Sequence, residues 1–277
     1  DYGSVGFGLI NSDDLPDLVA LRSNMVDIYL NSGGFYPSFP TFSFNGSGGS
    51  GSVVSCMEVF DYDLDGDADI AVASGGAFVS IFQNNGGYFT SAAYELTGIG
   101  GTHTISIGFL GLDPYPDVAV ATYGQSSQVF ENNSGVFNES PVWTSPEWQY
   151  YSPVEWIDYD LDGDDDLIHG QYLYANNAGA LAAESIQEFI YRAGAVGHGN
   201  IDSDPYPELL NGSGEQGFFN LYDNVDGIIN PVAIWGINHL NIRNVDFIDI
   251  DGDADLDVFV SRRNVHEFEG GDAPRND

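Results

Sequence analysis

The sequence predicts an all-β propeller of six blades, mostly of four antiparallel strands, and three observations carry the prediction. An Asp-rich loop of nine residues recurs six times, starting at Leu9, Asp61, Phe109, Asp158, Asn200 and Asp249. These starts lie 52, 48, 49, 42 and 49 residues apart, a period that suits propeller blades and is too long for short solenoid coils. A second register runs in step with the first: VDIYLNSGG, VSIFQNNGG, SQVFENNSG, YLYANNAG, FNLYDNVDG and VHEFEGG place Tyr29, Phe82, Phe130, Tyr174, Tyr222 and Phe268 at one equivalent position. Around the loops apolar residues alternate with period two, as in Met57 and Val59 before the second loop and Ile70 and Val72 after it, which marks strands and not helices.

Each blade thus reads as strand, Asp-rich loop, strand, and an aromatic strand closing on Asn-x-x-Gly, whose Gly supplies a turn. The blades span approximately 3–50, 51–100, 101–149, 150–190, 191–238 and 239–277, one domain with no linker. The first opens on a strand from Ser4 to Ile10, and the sixth ends on a third strand from Val265 to Phe268, which leaves it without an outer strand. A seven-bladed propeller continuing beyond Asp277 is the alternative. An unpaired edge beside Val265 to Phe268 invites pairing with a strand from another molecule or from further sequence.

The loops carry the chemistry. DYDLDGDAD, DYDLDGDDD, NIDSDPYPE and DIDGDADLD place oxygen ligands at offsets one, three, five and nine, which lets a tight loop turn its carboxylates around a hard cation, with a backbone carbonyl near offset seven completing the shell. The cation expected is calcium, at three to four sites and at most five. The candidate ligands are Asp61, Asp63, Asp65, Asp67 and Asp69; Asp158, Asp160, Asp162, Asp164 and Asp166; Asn200, Asp202, Asp204, Tyr206 and Glu208; and Asp249, Asp251, Asp253, Asp255 and Asp257, the offset-seven members through their carbonyls. LINSDDLPD and FLGLDPYPD have an apolar residue at offset one. Asn11, Asp13 and Asp17 make a weak candidate site, and the loop holding Asp113 and Asp117 is expected to keep the turn without the metal. An EF-hand is excluded, because offset twelve is Val72, His169 or Val260 and the flanks are strands.

The formal charge is −36, every basic residue is Arg, and 24 of the 42 acids lie in the six loops, so bound cations would offset part of the charge. Six scattered Arg cannot build the basic patch that nucleic acid or an anionic membrane demands. Cys56 is the only cysteine, so no intrachain disulfide and no Cys/His zinc site is expected. No apolar run approaches the roughly 20 residues of a membrane helix. The chain opens on Asp1 without Met, which reads as a mature or excised segment. Open loops of this kind fill at extracellular calcium levels, so an extracellular or cell-surface location is expected.

Asn45, Asn132, Asn138 and Asn211 begin Asn-x-Ser sequons and are candidate glycosylation sites. Trp143, Trp148 and Tyr150, on the connection from the third blade to the fourth, are candidate sugar-stacking residues, with filling of the space between blades as the alternative. His103, His169, His198, His239 and His266 are dispersed and sit in no nucleophile motif.

The DxDxDGxxD loops, the Gly75-Gly76-Ala77-Phe78 segment and the NNGG-x-F turn from Asn84 to Phe89 make the chain resemble the FG-GAP or VCBS repeat β-propellers, whose repeats also occur in integrin alpha heads and in some fungal and bacterial lectins. The resemblance implies that each loop joins the first two strands of a blade and binds calcium at one rim. The loop from Asp249 departs from the pattern, with Gly252 at offset four and Ala254 where the other full loops have Gly, and a distorted turn and weaker site are expected there. The function expected is a non-catalytic, secreted, calcium-binding module for an extracellular protein or glycan. The alternatives are a structural subunit of a filament or surface layer, and a lectin with glycan sites at blade junctions. A polysaccharide lyase is the enzyme alternative.

Overall fold

The computed structural model describes the chain except residues 1–2, 47–53, 75–77, 98–100, 139, 150–152, 190–193, 214–216, 239–241, 254, 263–270 and 273–277. Among the described residues every regular element is a strand, and the strands form successive antiparallel sheets. The first sheet holds Ser4–Gly8, Asp17–Arg22, Met25–Tyr29 and Phe42–Asn45. The second holds Val54–Phe60, Asp69–Ser74, Phe78–Phe82 and Tyr94–Leu96. The third holds Thr102–Gly108, Asp117–Thr122, Gln125–Phe130 and Trp143–Gln149. The fourth holds Val154–Ile157, Asp166–His169, Tyr172–Tyr174 and Gln187–Glu188. The fifth holds Ala195–Gly199, Glu208–Gly212, Phe218–Tyr222 and Trp235–Asn238, with a small hairpin of Asn224–Val225 and Ile228–Ile229 between its last two strands. The sixth holds Ile242–Ile248, Asp257–Arg262 and Gly271–Asp272. These strands fall within the six spans read from the sequence.

The chain divides into two compact units, one of Asp1–Phe109 with Asp113–Tyr150 and the other of Leu110–Leu112 with Tyr151–Asp277. In the first unit one apolar core joins the first sheet to the second through Ile10, Val19, Ile28, Met57, Ile70 and Phe82. Another joins the second sheet to the third through Tyr62, Ile81, Ile105, Val118 and Phe130. In the second unit Ile157, Tyr159, Leu209 and Tyr222 join the fourth sheet to the fifth, and Leu210, Phe219, Ile242 and Val245 join the fifth to the sixth. Full burial of one such side chain contributes roughly 1.5–3 kcal/mol. Close approach needs glycine at two junctions. A Cβ on Gly8 would sit 2.5 Å from the Val59 side chain, and one on Gly197 2.9 Å from the Val245 carbonyl oxygen.

The aromatic register holds in five sheets and shifts in the sixth. Tyr29, Phe82, Phe130, Tyr174 and Tyr222 pair with Leu18, Ile70, Val118, Leu167 and Leu209, each the first residue after its loop. In the sixth sheet the corresponding Val258 pairs with Gly271, so the third strand is Gly271–Asp272, whereas the strand expected from Val265 to Phe268 lies outside the described residues. Trp143 and Trp148 also differ from expectation. They lie in the outermost strand of the third sheet and not on a connection, because that segment pairs with Gln125–Phe130 across a register shift. Tyr150 lies outside the described residues.

The Asn-x-x-Gly turns fasten sheet to sheet. In all five, the third and fourth residues have positive φ: Gly33 and Gly34, Gly86 and Gly87, Ser134 and Gly135, Ala178 and Gly179, Asp226 and Gly227. This pair of left-handed residues is the type I′ geometry that matches the twist of a hairpin. The leading Asn then reaches across. Asn84 Nδ2 donates to the Ile10 and Ala68 carbonyls, Asn132 to those of Tyr62 and Pro116, Asn176 to those of Leu110 and Asp165, and Asn224 to those of Tyr159 and Pro207. In every case one acceptor is the offset-eight carbonyl of the same sheet's loop and the other the offset-two carbonyl of the preceding loop.

This role removes Asn132 as a glycosylation site, since its side chain is fully buried with its amide hydrogens engaged. Asn211 is removed as well, because it is 1 % exposed inside the strand Glu208–Gly212. Asn45 and Asn138 are exposed.

Candidate metal centres

Each Asp-rich loop joins the first two strands of its sheet and is built by backbone capture. At offset five the carboxylate accepts the N–H of offset seven in all six loops: Asp13 from Leu15, Asp65 from Asp67, Asp113 from Tyr115, Asp162 from Asp164, Asp204 from Tyr206 and Asp253 from Asp255, at 2.9 to 3.2 Å. This is the Asx turn, in which a short carboxylate imitates a backbone acceptor. The two loops that lack ligands keep it, so it is a folding device that requires no ion.

Offset nine is the second such device. Asp17, Asp69, Asp117, Asp166, Glu208 and Asp257 are all at most 8 % exposed. Asp69 accepts the Tyr62 N–H at 3.0 Å and the Asn84 N–H at 2.7 Å, and Asp166 accepts those of Tyr159 and Asn176 at 3.3 and 2.7 Å. Asp17 makes the same bonds with Ile10 and Asn31, and Asp117 accepts Asn132 N–H. The offset-nine acid therefore closes the loop on itself and on the Asn turn. That double duty was not read from the sequence, although the persistence of Asp17 and Asp117 in loops short of ligands was its visible signal.

Four loops bring three carboxylates together, with ligand atoms all within 4.8 Å of one another. The sets are Asp61, Asp63 and Asp69; Asp158, Asp160 and Asp166; Asp202, Asp204 and Glu208; and Asp249, Asp251 and Asp257. Offsets one, three and nine thus converge in three loops, while Asp65, Asp162 and Asp253 stand apart from these sets and spend an oxygen on the Asx turn. In the Asn200 loop, offsets three, five and nine converge instead, and the Asn200 amide donates to the Asp204 carbonyl. Two offset-seven side chains bond to the Asn turn of their own sheet: Asp67 accepts Gly86 N–H at 3.0 Å and Asp164 accepts Ala178 N–H at 2.6 Å. Among the described residues the loops from Leu9 and Phe109 hold no such set, and Asn11, Asp13 and Asp17 all engage backbone N–H groups. In the loop from Asp249 the turn at Gly252 matches its sisters, while Ala254, the other departure, lies outside the described residues. The φ of Gly252 is +80°, and in the sister loops the same position is the left-handed Leu64 or Leu161, so glycine relieves strain there while the carboxylates still converge.

The electrostatics favour a cation. Burial pushes Asp69, Asp166 and Glu208 up to about 7, against the backbone bonds that work the other way. Burial, and then the neighbouring Asp65 or Asp162, raises Asp63 and Asp160; at Asp251 repulsion from Asp253 leads. Asp61 Oδ1, Asp63 Oδ1 and Glu208 Oε1 are buried with no hydrogen-bond partner, a costly arrangement unless something else satisfies them. Gln83 Nε2, 2.7 Å from Asp63 Oδ2, steadies that ligand from behind. Oxygen-only sets of this kind suit hard cations, so the residues fit a bound metal ion.

The profile of the FG-GAP-like repeat family matches residues 10–72 and 112–169. Over these two stretches the chain is similar to FG-GAP-like repeats. Its fold is that of the β-propellers, as solved structures attest at low sequence identity. An Agrocybe aegerita lectin that recognises non-reducing terminal N-acetylglucosamine aligns with TM-score 0.65 and 16% identity over 92% of this chain and 73% of its own. BBS1N, solved in complex with ARL6DN, aligns with TM-score 0.59 and 13% identity over 94% and 75%. The Bacillus licheniformis rhamnogalacturonan lyase aligns with TM-score 0.59 and 16% identity over 94% of this chain, which spans 55% of the lyase. No curated protein sequence matches the chain. The matched stretches include the loops from Asp61 and Asp158, each of which joins the first two strands of its sheet.

Proposed function

We propose that this FG-GAP-repeat chain is a calcium-rigidified propeller that works outside the cell as a non-catalytic binding module. The observation that carries the reading is the set of buried, unpartnered carboxylate oxygens on Asp61, Asp63 and Glu208, each within a three-acid cluster. Calcium accepts six to eight oxygens in flexible geometry, whereas magnesium demands a stricter octahedron, and irregular loops with carbonyl ligands suit the former. An ion in each cluster would relieve carboxylate repulsion and fix the loops as a binding rim. Most of the clustered acids are occupied in bracing loops, which leaves few free for acid–base work. Calorimetric titration of calcium into chelator-stripped protein tests the reading. Binding at three or four sites, with magnesium failing to compete at equal concentration, supports it; absence of calcium binding overturns it.

A lectin is the second reading, favoured by Trp148, which is 60% exposed on the outer strand of the third sheet. An exposed indole stacks on sugar rings, and the partner class would then be a glycan. Binding on a glycan array that is lost in Trp148→Ala supports this reading over a protein partner.

A further inference from the structure

The fifth loop departs from the first, second and fourth at offset nine. In those loops the short Asp spends both oxygens on backbone: Asp69 Oδ2 accepts Tyr62 N–H and Oδ1 accepts Asn84 N–H, and Asp17 and Asp166 divide their oxygens in the same way. In the fifth loop the residue is Glu208, one methylene longer. Its Oε2 accepts Ile201 N–H at 2.8 Å, while Oε1 has no hydrogen-bond partner although Glu208 is 0 % exposed. Glu208 belongs to the cluster with Asp202 and Asp204, so a free buried acceptor stands among carboxylates. Such an oxygen is costly to bury unless a cation or a donor meets it.

The same loop is short of charge. The three full loops hold Asp at offsets one, three, five and nine. Here offset one is Asn200, whose amide donates to the Asp204 carbonyl, so one carboxylate is missing. A candidate replacement stands opposite, outside the loop. Asp223 precedes the turn residue Asn224 as Gln83 precedes Asn84, and the pairings of Tyr222 with Leu209 and of Phe82 with Ile70 put the two in register. From that place Gln83 Nε2 reaches the offset-three carboxylate of its own sheet's loop, 2.7 Å from Asp63 Oδ2. Asp223 is half-buried at the corresponding point, close enough to Asp202 and Asp204 to be repelled by both, and no donor among the described residues bonds to its carboxylate. The third sheet shows the contrast: its acid at this position, Glu131, accepts from Asn133 and Asn138 Nδ2, and the offset-three residue is Gly111.

We infer that Asp223 is a ligand of the fifth loop's cation, a carboxylate supplied from outside the loop in place of the one that Asn200 lacks. Asp202, Asp204 and Glu208 with a fourth acid held opposite them repel one another unless a cation stands between, and the free Glu208 oxygen gives that ion a further contact. The ion then ties the loop to the turn whose Asn224 amide holds the Tyr159 and Pro207 carbonyls. The inference rests on the proposal that these loops bind calcium.

Calorimetric titration of calcium into chelator-stripped protein tests it, with the wild type beside Asp223→Asn, Asp202→Ala and the double variant. Loss of even an outer partner weakens a metal site by roughly 10–100-fold, so Asp223→Asn is expected to weaken one site by at least about tenfold and to leave the others unchanged. Asp226→Asn removes an exposed acid from the hairpin that follows and is expected to change no site. On the Asp202→Ala background Asp223→Asn is expected to change nothing further, because the two act at one site. Melts give a second readout: Asp223→Asn is expected to melt no lower than the parent in chelator and lower in calcium. An equal drop in both conditions marks a purely structural role and overturns the inference. A wild type that binds no calcium overturns the metal reading, and this inference with it. A wild type that binds calcium while Asp223→Asn titrates identically, or while Asp226→Asn is weakened equally, overturns the assignment of Asp223 alone, as does further weakening on the Asp202→Ala background.

Discussion

Asn84 and Ile10 lie 74 residues apart in the chain, and the Asn84 side-chain amide donates to the Ile10 carbonyl at 2.8 Å. The bond reaches from the hairpin turn of one sheet into the Asp-rich loop of the sheet before it. Because the Asn84 backbone N–H is held by Asp69, a member of the carboxylate cluster, the cluster and the sheet junction share one support.

Asn84→Ala removes the amide and leaves the buried Ile10 and Ala68 carbonyls without it. Each stranded group costs about 1–3 kcal/mol, so a loss of roughly 2–6 kcal/mol in urea unfolding is expected. Asn132→Ala is expected to match it, since its amide serves Tyr62 and Pro116 in the same manner. Asn31→Ala is expected to cost less, because its amide donates to the Pro16 carbonyl of its own loop and to the Tyr36 hydroxyl, and to no other loop among the described residues.

Asp63→Ala and Asp160→Ala are expected to change sign with calcium. Without metal, each removes a carboxylate that burial and a neighbouring Asp already hold above its ordinary range, so the variant melts no lower than the parent. With calcium, one site is lost and the melting point drops below the parent's. Asp113→Ala forfeits only an Asx turn and is expected to lower the melting point slightly and equally in both conditions. Melts of the three variants with calcium and with chelator check the ordering.

The raised acids set a pH dependence. Asp69, Asp166 and Glu208 titrate at about 7 in the folded, metal-free chain and near 4 when unfolded, so between these values the folded state holds more protons. Stability of the metal-free protein therefore falls as pH rises from about 4 to about 7 and levels off above. Metal binding displaces those protons, so calcium affinity rises over the same window and protons are released on binding. Calorimetry at about pH 6 in two buffers of different ionisation enthalpy measures the release.

Glycan mapping of the chain from a secretory host is expected to find sugar on Asn45 or Asn138 and none on Asn132 or Asn211. The first two are exposed, and the last two are buried within their sheets.

Much of this was legible in the sequence because the repeat printed the same physics six times. The loop starts gave the six sheets, and the aromatic register gave the pairing of Tyr29 with Leu18 and its four counterparts. The carboxylate clusters were legible loop by loop, but which acids of each loop converge was not. Nothing in the spacing separates a carboxylate that points inward, such as Asp63, from one that spends an oxygen on an Asx turn, such as Asp65. In the sixth sheet the described third strand is Gly271–Asp272, and the strand read from Val265 to Phe268 lies outside the described residues. Asn132 misled: its sequon is chemically sound, and only tertiary packing reveals that the amide is already in use.

The central claim is that metal in the Asp-rich loops holds the fold together, and thermal melting against free calcium tests it most directly. Each site that binds only the folded chain adds about 2.7 kcal/mol at roughly 100 times its dissociation constant, so several sites together rival the stability of an ordinary domain. The melting temperature is expected to climb steadily with the logarithm of free calcium and to fall back on chelation. A melt in excess chelator that overlays the melt in saturating calcium contradicts the account.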